Sequence, residues 1–181
     1  MKSDLSSYNN DWYHPGPVLK RLLWFWTSAL FFRPKWIPFS SFYIFFLRLF
    51  GAKIGNGVVV KPGVQVKYPW FLKVGDHSWI GEDVWIDNLA EVTIGSHVCI
   101  SQGALLECGN HDYSKGSFDL IIKAITIEDG VWIGARSIVP PGVICKDHSV
   151  LSANSRAPQL LEAYGIYDGS PAVKIKDRVI A

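Results

Sequence analysis

Charge is scarce in this sequence. Asp, Glu, Lys and Arg together make up 19% of the 181 residues, and the formal net charge is only +2. Binding to nucleic acid usually requires a dense basic patch, so this mild charge argues against a nucleic-acid partner. In contrast, 49% of the residues are hydrophobic, which excludes a disordered chain and predicts one domain with a sizeable core.

Cysteine is also rare, and the sequence shows neither a secretory signal nor a membrane-spanning run. The three cysteines, Cys99, Cys108 and Cys145, form no CxxC pair, and their odd number indicates reduced thiols. The first residues lack the apolar stretch of a secretory signal. Two uncharged aromatic runs, residues 22–32 and 36–47, are each shorter than the roughly 18 residues that a spanning helix needs. These features predict a cytoplasmic protein.

Residues 1–50 form an aromatic-rich leader, for which we predict two short helices. Pro34 is expected to end the first helix, and Ser40-Ser41 is the candidate N-cap of the second. Basic residues border both runs, among them Arg33 and Lys35. Two roles remain open for this leader. Either it contacts the inner face of a membrane peripherally, or it caps the open end of the domain that follows.

From residue 54 to residue 156 an aliphatic side chain recurs at every sixth position, often followed by glycine. A period of six fits neither a helix nor an alternating strand, but it fits a coil with three short flat faces. Such hexapeptide repeats predict an all-β fold, a parallel β-helix, preceded here by the short helices. We expect the repeated residues to point inward: Ile54, Val60, Val66, Leu72, Val74, Ile80, Ile86, Val92, Ile94, Ile100, Leu106, Ile127, Ile133, Val139, Cys145 and Leu151.

The repeats divide the chain into three parts. The leader covers residues 1–50, and the repeat domain covers residues 51–156. A C-terminal tail covers residues 157–181, and within it residues 159–164 are predicted to form a short helix closed by Gly165.

A polar segment at about residues 108–124 interrupts the repeat. Because it has no repeat character, it must leave the coil wall, and we expect it to protrude as a loop. Loops that protrude from a rigid scaffold are where binding and catalytic residues concentrate.

Several motifs resemble those of the hexapeptide-repeat O-acetyltransferases. They are the repeats themselves, Gly-Asn-His-Asp at residues 109–112, Val-Trp-Ile-Gly-Ala at residues 131–135, and Gly-Ser-Pro-Ala at residues 169–172. The sequence Leu-Arg-Leu-Phe-Gly-Ala-Lys-Ile-Gly at residues 47–55 is similar to the group named for colanic acid biosynthesis. The resemblance covers nearly the whole chain. It implies a left-handed β-helix and a homotrimer, with acetyl-coenzyme A bound as donor between subunits and no metal.

The resemblance implies that His111, in the protruding loop, is the general base. A neutral imidazole is suited to removing the proton of a sugar hydroxyl while the oxygen attacks a thioester. Asp112, Glu107 or a backbone carbonyl is expected to orient the second ring nitrogen. The alternative is an ordinary solvated loop histidine. The H-x4-H spacing of a zinc site shared by adjacent coils is absent from the sequence.

The resemblance also indicates residues for the donor and the acceptor. Trp132, Gly134 and Ala135 match the stretch that lines the pantetheine arm, with the backbone N–H of Ala135 as a candidate oxyanion donor. Alternatively, Trp132 is simply an outward-facing aromatic of the wall. The tail departs from the family pattern, because the lysines that usually bind the phosphates of coenzyme A are displaced. Cations of the same type lie at other positions and are candidates for this role: Arg156, Lys174, Lys176 and Arg178. Asp87 and Asn88 are expected to bind the acceptor or to form a corner turn.

We therefore expect an acetyl-coenzyme A-dependent O-acetyltransferase that acts on a saccharide in exopolysaccharide, capsule or lipopolysaccharide biosynthesis. The saccharide is either free or lipid-linked. Two alternatives remain open: a small-sugar acetyltransferase of the maltose or galactoside type, and a non-catalytic trimeric scaffold. The aromatic leader weighs against the first. The loop with His111 weighs against the second, because a scaffold has no reason to interrupt its wall.

Overall fold

A computed structural model describes residues 2–180 and shows a prism of six stacked coils. It is the parallel β-helix that the repeats predict, with the left hand that the resemblance implies. Each full coil contributes one short strand to each of three faces. The first face contains β1 (Lys53–Ile54), β4 (Leu72–Val74), β7 (Val92–Ile94), β12 (Ile125–Ile127), β15 (Ile144–Cys145) and β17 (Leu160–Leu161). The second contains β2 (Val59–Val60), β5 (Trp79–Ile80), β8 (Cys99–Ile100), β13 (Trp132–Ile133), β16 (Val150–Leu151) and β18 (Gly165–Gly169). The third contains β3 (Gln65–Val66), β6 (Trp85–Asp87), β9 (Leu105–Glu107) and β14 (Ile138–Val139).

Two antiparallel pairs are added to the coils. β10 (Gly109–His111) and β11 (Leu120–Ile122) form a hairpin between β9 and β12, where the predicted loop interrupts the repeat. At the end of the chain β19 (Ala172–Asp177) folds back on β18 and closes the second face.

The core is a column of stacked side chains inside the prism. Every predicted inward aliphatic residue is buried. Neighbouring coils align these residues directly, since Ile80 pairs with Ile100 and Ile100 pairs with Ile133 across the second face. Burying each such side chain contributes roughly 1.5–3 kcal/mol. The period of six in the sequence arises because one residue in six occupies this buried column.

The glycine that follows many inward residues is required by close coil stacking. A Cβ built on Gly81 lies 2.7 Å from the backbone nitrogen of Gln102, and one on Gly134 lies 2.5 Å from the backbone nitrogen of Ala153. Both distances are far below van der Waals contact, and backbone cannot rotate away as a side-chain tip can. In the Ile-Gly dipeptide of the repeat, isoleucine therefore fills the core, and glycine follows because the backbone of the next coil leaves no room for a Cβ.

The leader contains α1 (Val18–Thr27), which continues into a π-helical turn (Ser28–Phe32), and α2 (Ser40–Leu49). Short 3₁₀ turns occupy Leu5–Ser7 and Pro69–Phe71. The helical segment ends ahead of Pro34, as predicted. The prediction that Ser40 caps α2 was wrong, because Phe39 holds the N-cap position without a side-chain hydrogen bond.

The leader instead covers the free edge of the first coil. Within residues 2–180 no strand stacks on the outer side of β1, β2 and β3, so backbone groups there need other partners. The N–H of Val60 donates to the Ser40 hydroxyl at 2.7 Å, and the Trp24 indole donates to the carbonyl of Val66 at 2.8 Å. Arg48 likewise donates to the carbonyl of Ile54 at 2.9 Å. Leader residues therefore supply hydrogen-bond partners to this edge of the first coil.

The outer side of the leader stays apolar and uncovered. Only a few of its aromatics, such as Trp24, Phe32 and Tyr43, join the core. Others are largely exposed, with Trp26 at 61% and Phe39 at 68% of their full exposure. Among residues 2–180 no helix combines the length and the apolar character needed to cross a bilayer.

The predicted helix at residues 159–164 is wrong. Leu160 and Leu161 form β17, which pairs in parallel with Ile144 and Cys145 on the first face. Coil stacking thus continues beyond residue 156. The hydrogen bonds and burial that the preceding coil offers outweigh the weak helical preference of so short a segment.

Candidate active site

The hairpin β10–β11 positions His111 beside the coil wall. His111 pairs with Leu120 in the hairpin register. Its ring stacks on Phe118, with centroids 4.4 Å apart and planes 8° from parallel, and its Nδ1 lies 2.8 Å from the Phe118 carbonyl oxygen. Phe118 has φ +53°, an uncommon conformation for a bulky residue, and the residue thus presents both its ring and its carbonyl to one imidazole.

This hydrogen bond determines the tautomer of the neutral imidazole. A carbonyl oxygen only accepts, so Nδ1 carries the hydrogen and Nε2 keeps its lone pair. The arrangement leaves Nε2 as the basic nitrogen, which is what removal of a hydroxyl proton requires.

Neither carboxylate expected to orient His111 does so. Asp112 accepts from the backbone N–H of Ser114 at 3.1 Å and from its hydroxyl, and these bonds hold the pKa of its carboxyl below its usual value. Glu107 lies on β9 opposite Asp87 of β6. Burial raises the pKa of Glu107, while Arg156 lowers it and Asp87 raises it further. Of the three partners considered, the structure has the backbone carbonyl.

His111 and Asp87 line a common cleft of about 620 Å³, which we call the acceptor cleft. It lies at the corner that follows the third face. Lys67 of the preceding coil forms an ion pair with Asp87 at 2.8 Å. Asn88 does not line this cleft: it is fully buried, and its side-chain amide exchanges hydrogen bonds with the Tyr68 backbone at 2.7 and 3.0 Å.

The outer wall of the acceptor cleft is a segment that sequence reasoning missed, residues 8–15, here called the N-terminal strap. The ring of Tyr8 lies 5.6 Å from that of His111. Tyr13 donates its hydroxyl to the carbonyl of Leu89 at 2.6 Å, and burial raises the pKa of this phenol, which keeps it a donor. The remaining polar wall comes from Asn10, Asp11 and His14. The density of Tyr, Asn, Asp and His in this stretch was the available sequence signal.

A second hollow, the donor groove, lies where the second face turns towards the third. Its volume is about 650 Å³, and five predicted donor residues line it: Trp132, Gly134, Ala135, Lys176 and Arg178. Trp132 is half exposed, and its indole donates to the Ser101 hydroxyl at 2.9 Å. Within the described part of the chain the backbone N–H of Ala135 has no hydrogen-bond acceptor.

The other two predicted cations lie outside the donor groove. Lys174 forms an ion pair with Asp177 at 2.6 Å, and Arg156 lies in a separate hollow behind the hairpin with Asn110. Arg178 does line the groove, held by hydrogen bonds to the carbonyls of Gly130 at 2.9 Å and His148 at 3.2 Å.

The acceptor cleft and the donor groove flank the third face on its two sides. The cleft adjoins the corner after β3 and β6, whereas the groove adjoins the corner before β14. One chain therefore presents two separate hollows at different corners of the prism. Residues 2–180 hold no group of three or more His, Cys, Asp or Glu side chains suited to a metal ion.

Comparison with known proteins gives consistent matches. A model of the hexapeptide repeat of succinyl-transferase matches residues 124–155. The putative colanic acid biosynthesis acetyltransferase WcaF of Escherichia coli is 39% identical over 169 residues, covering 92% of both chains. The structure resembles that of a hexapeptide-repeat acetyltransferase of Vibrio cholerae, with a TM-score of 0.79 and 25% identity over 88% of this chain and 90% of that one. The complex of that enzyme with acetyl-coenzyme A has a TM-score of 0.78 at 24% identity, over 88% and 87% of the two chains.

Proposed function

The chain belongs to the hexapeptide-repeat acetyltransferases and is an acyltransferase, and from this premise we propose that it moves an acetyl group from acetyl-coenzyme A to a sugar hydroxyl in polysaccharide assembly. The observation that carries the proposal is the His111 imidazole, pinned through Nδ1 and lining a polar cleft. The relative named for colanic acid biosynthesis supports an exopolysaccharide context.

We propose direct transfer without a covalent enzyme intermediate. Nε2 of His111 takes the proton of the acceptor hydroxyl as its oxygen attacks the thioester carbonyl. The N–H of Ala135 donates to the oxygen that becomes negative. When the carbon–sulfur bond breaks, the imidazolium returns the proton to the coenzyme A thiolate. The products are an acetyl ester and free coenzyme A.

The complete site, in this proposal, joins two subunits of a homotrimer. A base in the acceptor cleft and a donor in the donor groove flank opposite sides of the third face, so a neighbouring chain must bring its own groove to the cleft. Two outer faces support such packing. Trp79, Cys99 and Trp132 line the outside of the second face, and Trp85 with Leu105 lines the outside of the third.

The test is acetyl transfer to oligosaccharides that carry the repeating units of bacterial exopolysaccharides. Acetyl-coenzyme A labelled in the acetyl group should yield a sugar ester that mass spectrometry detects and that mild alkali removes. An alkali-stable amide, or donor hydrolysis without a saccharide product, would overturn the proposal.

A further inference from the structure

A third hollow, the leader cavity, lies between α1 and the corner after β3. Its volume is about 480 Å³. Val18, Leu22, Trp24 and Phe25 give it apolar walls, and Ser28 lines it from the π-helical turn. Its character thus differs from that of the acceptor cleft, whose walls are mainly polar.

The leader cavity adjoins the acceptor cleft. Three residues line both hollows: Arg21, Lys67 and Tyr68. A ligand that extends from one hollow to the other must therefore pass two cationic side chains. The passage leads from an apolar cavity to the cleft that contains His111.

A cationic side chain at this boundary is available to bind an anion. Within residues 2–180, Arg21 has no carboxylate within 4 Å, and its buried Nε lacks a hydrogen-bond acceptor. Arg33 also lines the leader cavity, lies 5.8 Å from the centre of the Phe25 ring, and likewise has no carboxylate partner in the described chain. Lys67 already pairs with Asp87, so Arg21 is the main candidate. A guanidinium fork fits phosphate oxygens in a bidentate manner.

The cavity mouth belongs to the exposed apolar side of the leader. Leu22 and Phe25 line the cavity yet remain about half exposed. A hydrocarbon chain can therefore enter from the side where Leu19, Leu23 and Trp26 are also exposed. A cavity of this size lies in the range of roughly 300–1,000 Å³ that holds one small ligand, so it suits one chain rather than the pair of a bilayer phospholipid.

We propose that the leader cavity binds the hydrocarbon chain of a lipid-linked acceptor, a saccharide joined through phosphate to a single long chain. The chain lies against Leu22, Trp24 and Phe25, and Arg21 holds the phosphate at the boundary. The saccharide then lies in the acceptor cleft with a hydroxyl at His111. This inference rests on the proposed function, because it names the acceptor class of the same site.

Farnesyl phosphate is a suitable probe, since it has a single chain and a phosphate but no sugar. We expect calorimetry on the full-length protein to show binding at least about tenfold tighter than that of farnesol or inorganic phosphate, each of which lacks half of the contacts. Dioctanoyl phosphatidic acid, with two chains, should bind more weakly. Arg21→Gln and Ser28→Phe, which fills the cavity, should each weaken farnesyl phosphate binding about tenfold.

Two further variants distinguish binding inside the leader cavity from non-specific binding to the exposed apolar surface. Leu22→Gln changes a half-exposed rim residue and leaves folding intact, and it should weaken binding severalfold. Phe45→Gln removes an equally exposed aromatic on α2 outside the cavity and should leave affinity unchanged. Equal affinity in wild type, Arg21→Gln, Leu22→Gln and Ser28→Phe would overturn the inference. So would equally tight phosphatidic acid binding, or equal weakening by Phe45→Gln.

The binding readout does not depend on acetyl transfer. Acetyl transfer to free saccharides without any binding of farnesyl phosphate would count against the lipid-linked acceptor alone. Specific binding of farnesyl phosphate in a protein that transfers no acetyl group would count against the proposed function alone.

Discussion

At the residue scale, a backbone carbonyl rather than a carboxylate orients the His111 imidazole. The Phe118 carbonyl sets the tautomer without adding negative charge, and the ring of the same residue supports the imidazole from one side. The base is therefore positioned by the conformation of the β10–β11 hairpin.

Replacing His111 by alanine or asparagine should lower kcat by roughly 10²–10⁴, the usual contribution of a general base. The KM for acetyl-coenzyme A should change little, because the side chain acts on the acceptor proton in the transition state. His77→Asn is a matched control, since His77 lies at a coil turn with φ +56°, which asparagine tolerates. Near-full activity of both His111 variants in steady-state assays would remove His111 from the mechanism.

Glu107 leads to a prediction for the pH dependence of stability. Its pKa is raised in the folded protein, mainly by burial, from an ordinary value of 4.5. The folded state therefore holds this proton more tightly than the unfolded chain, and stability falls as pH rises through that window. Glu107→Gln cannot ionise and avoids the loss. The Tm of the variant minus that of wild type should increase between about pH 4 and pH 7 in thermal unfolding, and a pH-independent difference would contradict this.

The sequence named His111 and the donor stretch Trp132–Gly134–Ala135 as candidates, but it left three possible partners for the imidazole and could not say which carbonyl would meet Nδ1. Motif matching finds residues by type and spacing, whereas the Phe118 carbonyl is selected by hairpin register and by a positive φ. Arg156 and Arg178 also show that residue type and spacing do not determine which side chain reaches a site. Both are cations near the end of the repeats, and only the path of β19 shows that Arg178 lines the donor groove.

At the element scale, every residue that the hexapeptide period predicted to point inward is buried, because each coil repeats the backbone path of the one before it. The segment at residues 159–164 failed for the opposite reason. Two leucines before a glycine fit a short helix as well as a strand, and pairing with β15 decided the outcome. Local pattern was reliable where it was repeated and ambiguous where it occurred once.

Close stacking of the coils makes Gly81→Ala destabilising. The new Cβ would lie 2.7 Å from the Gln102 nitrogen, so neighbouring coils must separate, which costs roughly 1–3 kcal/mol as in overpacked cores. Gly103→Asn is the control. Gly103 has φ +67°, which asparagine adopts, and its nearest contact is the Arg136 Cγ at 3.4 Å. Denaturant unfolding should show a clear loss for Gly81→Ala and little change for Gly103→Asn, and equal losses would contradict the stacking argument.

One side of the leader forms hydrogen bonds with the edge of the first coil, and we propose that its other side docks on a membrane surface. Exposed aromatics flanked by Lys and Arg suit the boundary between headgroups and acyl chains. In flotation assays with phosphatidylglycerol vesicles at low salt, the protein should rise with the vesicles. Leu23→Gln with Trp26→Gln should prevent this, whereas Tyr113→Ser, at a still more exposed site in the hairpin loop, should not. Wild-type protein that stays in the dense fraction would exclude the membrane role.

At the scale of the whole molecule, the three faces of the prism differ in character. The first face presents polar residues on its early coils, Lys53, Lys73 and Thr93, and aliphatic residues only on its last two, Ile144 and Leu160. The second and third faces present aromatic and aliphatic residues on their middle coils. A threefold assembly needs two different complementary faces on each subunit and leaves the rest of the surface in water. The distribution of apolar side chains therefore agrees with the separation of the acceptor cleft from the donor groove.

If the active site joins two subunits, two inactive variants should restore activity when they share a trimer. His111→Ala removes the base, and Ala135→Trp blocks the donor groove. In a mixed trimer, an Ala135→Trp subunit supplies an intact His111 to the intact groove of a His111→Ala neighbour. Random assortment of equal amounts makes about one interface in four functional, so co-refolded protein should regain about a quarter of wild-type kcat. Each variant refolded alone should stay inactive, and native mass spectrometry should verify mixed trimers. Mixed trimers without activity would place both half-sites of a working centre in a single chain.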